Sequence, residues 1–410
     1  MEKIKQIIII MVYLVPIFLC LLFSLQYDRT NGLCILGESK YSKRKYNLIF
    51  IWLVVISALQ YCVGYDIPIY MNAYETNKNI SINDIWGDAR YRPGWLMLQV
   101  ICHKVSDDFV FLKIIQALFL NFCVYRFLTR YSKHWYLTLF FYILYSYGQL
   151  NFGAMRQSFA VGFFLLAIPY LEDKKSSKDT VVALIKYFVF VYMSTMFHTS
   201  AFILFLVPLL KFCVVSAKRI SITIVIVIIA SVVVSQMPNI NILLFNLIDF
   251  SDDIAKNAEY YLTVGDYVGT KAGFGLVFAF IPISFIYLCL YLTRHNNDSR
   301  YKVMKMLLLA YIVMATLNIS VPIFYRFNDY FMFSYIILMP SAIYEGGLNN
   351  TFLRSSLAKI LLFFLYILAP VNHLVAVHPA FGFPGYRIYY PYHSVLDPQI
   401  DSERMKVIQY

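Results

Sequence analysis

Four side chains are charged or titratable where their neighbours are apolar: Arg156 in "AMRQSFA", His198 in "STMFHTSAF", Arg326 in "VPIFYRFNDYF" and Asp66 in "YCVGYDIPIYMNAYE". An uncompensated charge in hydrocarbon costs several kcal/mol, so an arginine kept there has something to hold. Arginine is planar and permanently charged, and its fork of donors matches two oxygens of one anion. Twice, at Arg156 and Arg326, it is the lone charge of a short turn between apolar runs. A snorkelling side chain at the headgroup level is the structural alternative. A fixed positive charge on an anionic ligand is the functional one, with Gln157 beside Arg156 and Asp329 three residues after Arg326 as further binding candidates. His198 is expected on the same face as the two arginines, whose charge favours its neutral form and suits it to general-base work. A packing histidine satisfied by a carbonyl is the alternative there.

Asp66 and Tyr70 are four residues apart, so on a helix they share one face, the carboxylate able to accept and the phenol to donate. Asp66 is thus the second candidate base, and Tyr70 a candidate substrate contact. Arg92, in "DARYRPGW", precedes a proline-started helix and reads equally as an anion contact or an interface anchor. In "FGFPGYRIYYPYHSVLDPQ", Tyr389, Tyr390 and Tyr392 could stack on sugar faces or lie on lipid headgroups.

The elements that position these residues follow from composition. Of 410 residues, 60% are hydrophobic and 14% charged, and the mean hydropathy is +0.63, which marks an all-α, polytopic integral membrane protein. Apolar runs long enough to cross about 30 Å of hydrocarbon are expected near 7–26, 47–65, 108–128, 135–150, 154–171, 180–197, 199–215, 220–237, 273–292, 303–322, 327–345 and 358–376. These make about 12 transmembrane helices in a single domain over 1–410, with a shorter interfacial or re-entrant helix at 93–105. The N-terminal run is too long for a signal peptide and lacks a small-residue cleavage site, so a retained first helix is expected.

The net charge of +12 is carried in short clusters between apolar runs, which points to loop asymmetry and away from nucleic acid. Loops spanning Arg29–Lys45, Arg126–Lys133, Lys174–Lys178, Lys211–Arg219, Arg294–Lys305 and Arg354–Lys359 hold 20 cations against 12 on the opposite face, and are expected to be cytoplasmic. The opposite face then carries the segment 66–92, the turns at Arg156, His198 and Arg326, a long loop at 238–272 and the tail 378–410. That loop, with Asp249, Asp252, Asp253, Glu259 and Asp266, is expected to cover a cavity without holding a metal. Seven cysteines occur singly, with no C-x-x-C pair, so neither a disulfide framework nor a metal site is expected. No P-loop, G-x-G-x-x-G or H-E-x-x-H is present, so no cofactor is implied and the energy for any reaction arrives with the substrate.

Five short pieces in order, "VGYD", "NFGAMRQSFA", "FHTSA", "YRFNDYF" and "PYHSVL", resemble the EpsG-like polysaccharide polymerases, a branch of the Wzy-type enzymes. The resemblance runs from about Tyr65 to Leu396, and departs from the family at Gln60, where arginine is frequent, and at Arg92, near an acidic position. It implies a bundle resembling the GT-C-type glycosyltransferases in a bacterial cytoplasmic membrane, active on the outer face. The implied activity joins oligosaccharide repeat units carried on polyprenyl diphosphate. Donor and acceptor lipids are the implied partners, along with membrane lipids and a chain-length regulator and flippase of the same pathway. The diphosphate would be gripped by Arg156 and Arg326 while His198 or Asp66 removes the acceptor proton. Three other functions share parts of this pattern: a flippase or transporter of lipid-linked oligosaccharide, a membrane O-acyltransferase, and a glycan ligase. A transporter should carry charge deep in the bundle, and most of the expected spans lack it.

Overall fold

The computed structural model describes residues 2–28, 40–87, 91–174, 176–212, 274–296, 298–319, 324–346, 355–378 and 382–399, with single positions between 222 and 233. The described chain is mostly helical, with one short antiparallel ladder that pairs Val377 with Pro384 and His378 with Phe383, and an isolated bridge between Gln60 and Ser394. It divides into two compact units. The first comprises 1–87, 93–162 and 363–410; the second comprises 88–92 and 163–362.

The first unit is built from α1 (Glu2–Phe23), α2 (Lys40–Leu59), α3 (Ile67–Thr76), α4 (Pro93–His103), α5 (Phe109–Tyr131), α6 (Trp135–Tyr142) and the first half of α7 (Met155–Ala167). Asp108 starts α5 by accepting the Val110 N–H at 2.9 Å, which satisfies one of the orphan donors of the first turn. Helices α2 and α5 pack together, joined by Tyr125 Oη donating to Asn47 Oδ1 at 2.9 Å and Asn121 Nδ2 donating to Ser57 Oγ at 3.2 Å. The expected run 135–150 is not one regular helix: after α6 the chain continues as two π-turns, Ile143–Tyr147 and Gln149–Gly153. Such turns leave backbone groups out of the regular ladder and concentrate at functional sites.

The expected span 47–65 also ends early, at Leu59. Beyond it Cys62 has φ 48° and Gly64 φ 100°, a left-handed stretch that a helix cannot contain. Gly64 is required there twice over, because a Cβ would fall 1.5 Å from the Phe152 carbonyl oxygen. The tail explains the break. Tyr61 N–H donates to His393 O at 2.8 Å, Gly64 N–H to Ile388 O at 3.1 Å, and Val395 N–H to Leu59 O at 2.9 Å. Residues 59–64 therefore form a ladder with the tail in place of the last helical turn.

The second unit contains the end of α7, α8 (Ser177–Thr195), a 3₁₀ helix over Thr199–Phe212, α9 (Phe274–Leu292), α10 (Ser299–Leu317), α11 (Tyr325–Tyr344) and the start of α12 (Ser356–Val375). Ser176 caps α8 and Asp298 caps α10, each through its side-chain oxygen. The core lies along α10 and α11, where Tyr301 and Ser341 hydroxyls meet at 2.7 Å and the Tyr311 and Tyr335 rings lie 5.9 Å apart. Two helices, Phe109–Tyr131 and Ser356–Val375, are each long and apolar enough by themselves to cross a membrane. Others that coincide with expected spans carry cations in their first turns, as α2 and α10 do, or are cut short, as α6 is. The expected spans at 220–237 and the loop 238–272 lie outside the described residues, apart from the single positions noted.

Candidate functional site

The candidate residues fall into one cluster in each unit. In the first unit Arg156 is the second residue of α7, placed by the π-turn Gln149–Gly153 that precedes it. Its guanidinium carbon stands 5.9 Å from the centroid of the Tyr70 ring, a cation over an aromatic face. Tyr70 is 6% exposed and meets Trp95 edge-on, ring centroids 5.5 Å apart. Burial pushes the Tyr70 hydroxyl's pKa up, while Arg156 pulls it down by charge and hydrogen bonding and Asp66 pushes it up. Asp66, Tyr70 and Arg156 thus form one electrostatic group. Asp66 stands at the N-cap of α3, its backbone carbonyl accepting the Tyr70 N–H at 3.0 Å, and its half-buried carboxylate does not cap the helix. Gln157 is buried beside Arg156.

Tyr392 belongs to the same unit but is tied to the fold. Its hydroxyl donates to Ile56 O at 2.9 Å, its ring meets Tyr13 edge-on, and the neighbouring Tyr389 ring lies against Gly148. The tail tyrosines are packed on the unit's own helices, with Tyr392 and Tyr389 only partly exposed.

In the second unit His198 sits at the turn between α8 and the 3₁₀ helix, half-buried. Its Nδ1 lies 2.6 Å from Ser200 Oγ and accepts the Ser200 backbone N–H at 3.2 Å. Both contacts engage Nδ1, so Nε2 is the ring nitrogen through which His198 would act on another group. Ser200 Oγ also meets Tyr330 Oη at 3.0 Å, which continues the chain of hydrogen bonds onto α11. On that helix Arg326 precedes Tyr330 by four residues and Asp329 by three, so the three share a face. Asp329 is buried, at 8% exposure, and its Oδ2 has no hydrogen-bond partner among the described residues. Arg92 is committed to a structural contact: its Nε donates to Thr195 O, the last residue of α8, at 3.0 Å, and its guanidinium lies 5.5 Å from the Phe202 ring centroid. A cation on the orphan carbonyls of a helix end is favourable by itself.

Sequence reading missed Ser200 and Tyr330, and it missed a polar network inside the first unit. Lys113, one turn into α5 and 1% exposed, donates to Gln116 Oε1 at 2.5 Å and to Asn151 O. Lys113 is therefore an ionisable side chain buried inside the expected span 108–128. The signal was present: Lys113, Gln116 and Asn121 interrupt an otherwise apolar run.

The family model for EpsG matches residues 43–394, most of the chain. The chain belongs to the EpsG family. Searches of the curated proteins and of the solved structures gave no match. EpsG proteins are Wzy-like polysaccharide polymerases, so this is a membrane protein of polysaccharide biosynthesis. The EpsG match takes in both clusters, from α2 through the π-turn and Arg156, the His198 turn and α11, to Ser394 in the tail.

Proposed function

We propose that this EpsG-family protein polymerises oligosaccharide repeat units carried on polyprenyl diphosphate, at the outer face of the bacterial cytoplasmic membrane. The observation that carries the reading is Arg156, a permanent cation at the first turn of α7, held against the buried Tyr70 and grouped with a carboxylate at Asp66. The acceptor hydroxyl attacks the anomeric carbon of the donor, the carbon–oxygen bond to the diphosphate breaks, and the lipid diphosphate leaves with the bonding pair. Arginine donors on its oxygens stabilise the charge that develops there. Arg156 does this in the first unit. The leaving diphosphate supplies the driving force, so no nucleotide is consumed.

Two observations support a division of the acid–base roles. Asp66 is half-exposed with a carboxylate not used for capping, and takes the acceptor's proton. His198 accepts at Nδ1 from Ser200, so it works as a donor through Nε2, steadied by the Ser200–Tyr330 chain. Asp329 and Gln157 contribute polar contacts to sugar hydroxyls.

The surface glycan of a deletion strain tests the function. Loss of a polymerase leaves single capped repeat units. Loss of a flippase leaves none, and loss of an acyltransferase leaves full-length, unmodified chains; either of these results would overturn the proposal.

A further inference from the structure

The buried network around Lys113 surrounds the backbone break that ends in Arg156. The π-turn Gln149–Gly153 cannot return all its carbonyls to the helical ladder, and in a membrane each unreceived one is costly. Side chains of α5 receive two in succession: Lys113 Nζ donates to Asn151 O, and Gln116 Nε2 donates to Leu150 O at 3.1 Å. The second Gln116 N–H donates to Ser158 Oγ at 2.8 Å, two residues after Arg156, while Ser158 Oγ donates to Met155 O at 2.7 Å. Asn151 is held from both sides. Its Oδ1 accepts from Asn121 Nδ2 at 2.8 Å, and its Nδ2 donates to Tyr142 Oη and to Tyr147 O, each at 3.1 Å. All these groups are buried; Gln116, Asn121, Asn151 and Ser158 are fully so.

We infer that Lys113 and Gln116 are positioning residues that lock the π-turn and the first turn of α7, and so fix the depth and direction of Arg156. A lysine is suited to the task because one ammonium donates to a side chain and a main-chain carbonyl at once, on a long stem that apolar residues can surround. Gln116 relays the same constraint to Ser158, past Arg156, so the arginine is bracketed by two fixed points on its own backbone. Nothing in this role requires Lys113 to touch substrate. The inference deepens the proposed function, since it takes Arg156 as the anion-binding group.

Two measurements on the full-length protein in detergent separate the clamp from the function. In the first, amide hydrogen exchange over 149–158 is compared between the natural protein and the Lys113→Gln and Gln116→Leu variants; at least a tenfold acceleration confined to that stretch is expected. In the second, binding of farnesyl diphosphate is measured for Lys113→Gln, Arg156→Ala and the double variant. Each single change is expected to weaken binding about tenfold, with the double variant no weaker than Arg156→Ala alone, because Lys113 acts only through Arg156. Unchanged exchange over 149–158 in both variants overturns the clamp, as does a fully additive loss of binding. If the natural protein binds no diphosphate while the exchange result stands, the clamp is retained and the function reading falls. Lys113→Arg, which keeps a donor, should restore part of the protection that Lys113→Gln loses. Failure of that rescue, together with a general loss of protection across both units, would mark Lys113 as a folding residue only.

Discussion

At the residue scale the decisive contrast is between two candidate bases whose surroundings differ. His198 has its Nδ1 engaged by the Ser200 N–H, whereas Asp66 has a carboxylate that does not cap α3 and acts electrostatically on Tyr70, as Arg156 also does. Glutamine can replace the N–H of a donor histidine but cannot act as a base. His198→Gln should therefore keep at least a tenth of the polymerisation rate and His198→Ala much less, while Asp66→Asn should lose on the order of a hundredfold or more. The reverse order, with Asp66→Asn active and His198→Gln dead, would return the base role to His198. Arg156, Arg326, His198 and Asp66 stand out as candidates in the sequence because a charged or titratable group between apolar runs is conspicuous. Ser200 and Tyr330 do not, because a serine and a tyrosine are ordinary in such a chain, and only the fold brings positions 200 and 330 together.

At the element scale, what the apolar pattern could not reveal is where helices break. Hydropathy is blind to the difference between a regular turn and a π-turn, so the run 135–150 read as one span while the chain holds α6 and two π-turns. The early end of α2 is likewise written in a partner far along the chain, the tail at 388–395. Gly64 is the hinge of that arrangement. Gly64→Ala places a Cβ into the Phe152 carbonyl and forces a left-handed backbone on alanine, the latter alone worth about 1–3 kcal/mol. The variant is expected to be lost from the membrane fraction, or to lose activity, because Phe152 lies within the stretch leading to Arg156; full expression and wild-type activity would contradict it. Tyr392→Phe removes one hydrogen bond, to Ile56 O, and keeps the ring. It should lower thermal stability by about 0.5–1.5 kcal/mol and leave chain length unchanged, whereas a selective loss of sugar binding with unchanged stability would restore the sugar-platform reading.

At the scale of the whole molecule, the EpsG family match makes this a membrane protein of polysaccharide biosynthesis, and the described chain is mostly helical, although α2 and α6 end short of the apolar runs expected there. Orientation rests on loop cations. Reporter fusions after Lys178 and after Lys78 should therefore report opposite sides, cytoplasmic and outer respectively, and a shared side would undo the topology. The proposed function stands or falls on Arg156 and its guanidinium. Its most direct test is the surface-glycan length distribution of strains expressing Arg156→Ala and Arg156→Lys at the natural protein's level. Losing a charge-assisted contact made chiefly in the transition state costs about 2–4 kcal/mol, or roughly tenfold to a thousandfold in rate. The account predicts that Arg156→Ala leaves only single capped units and that Arg156→Lys, which keeps the charge but not the fork, yields markedly shortened chains. A wild-type distribution from stably expressed Arg156→Ala would contradict it.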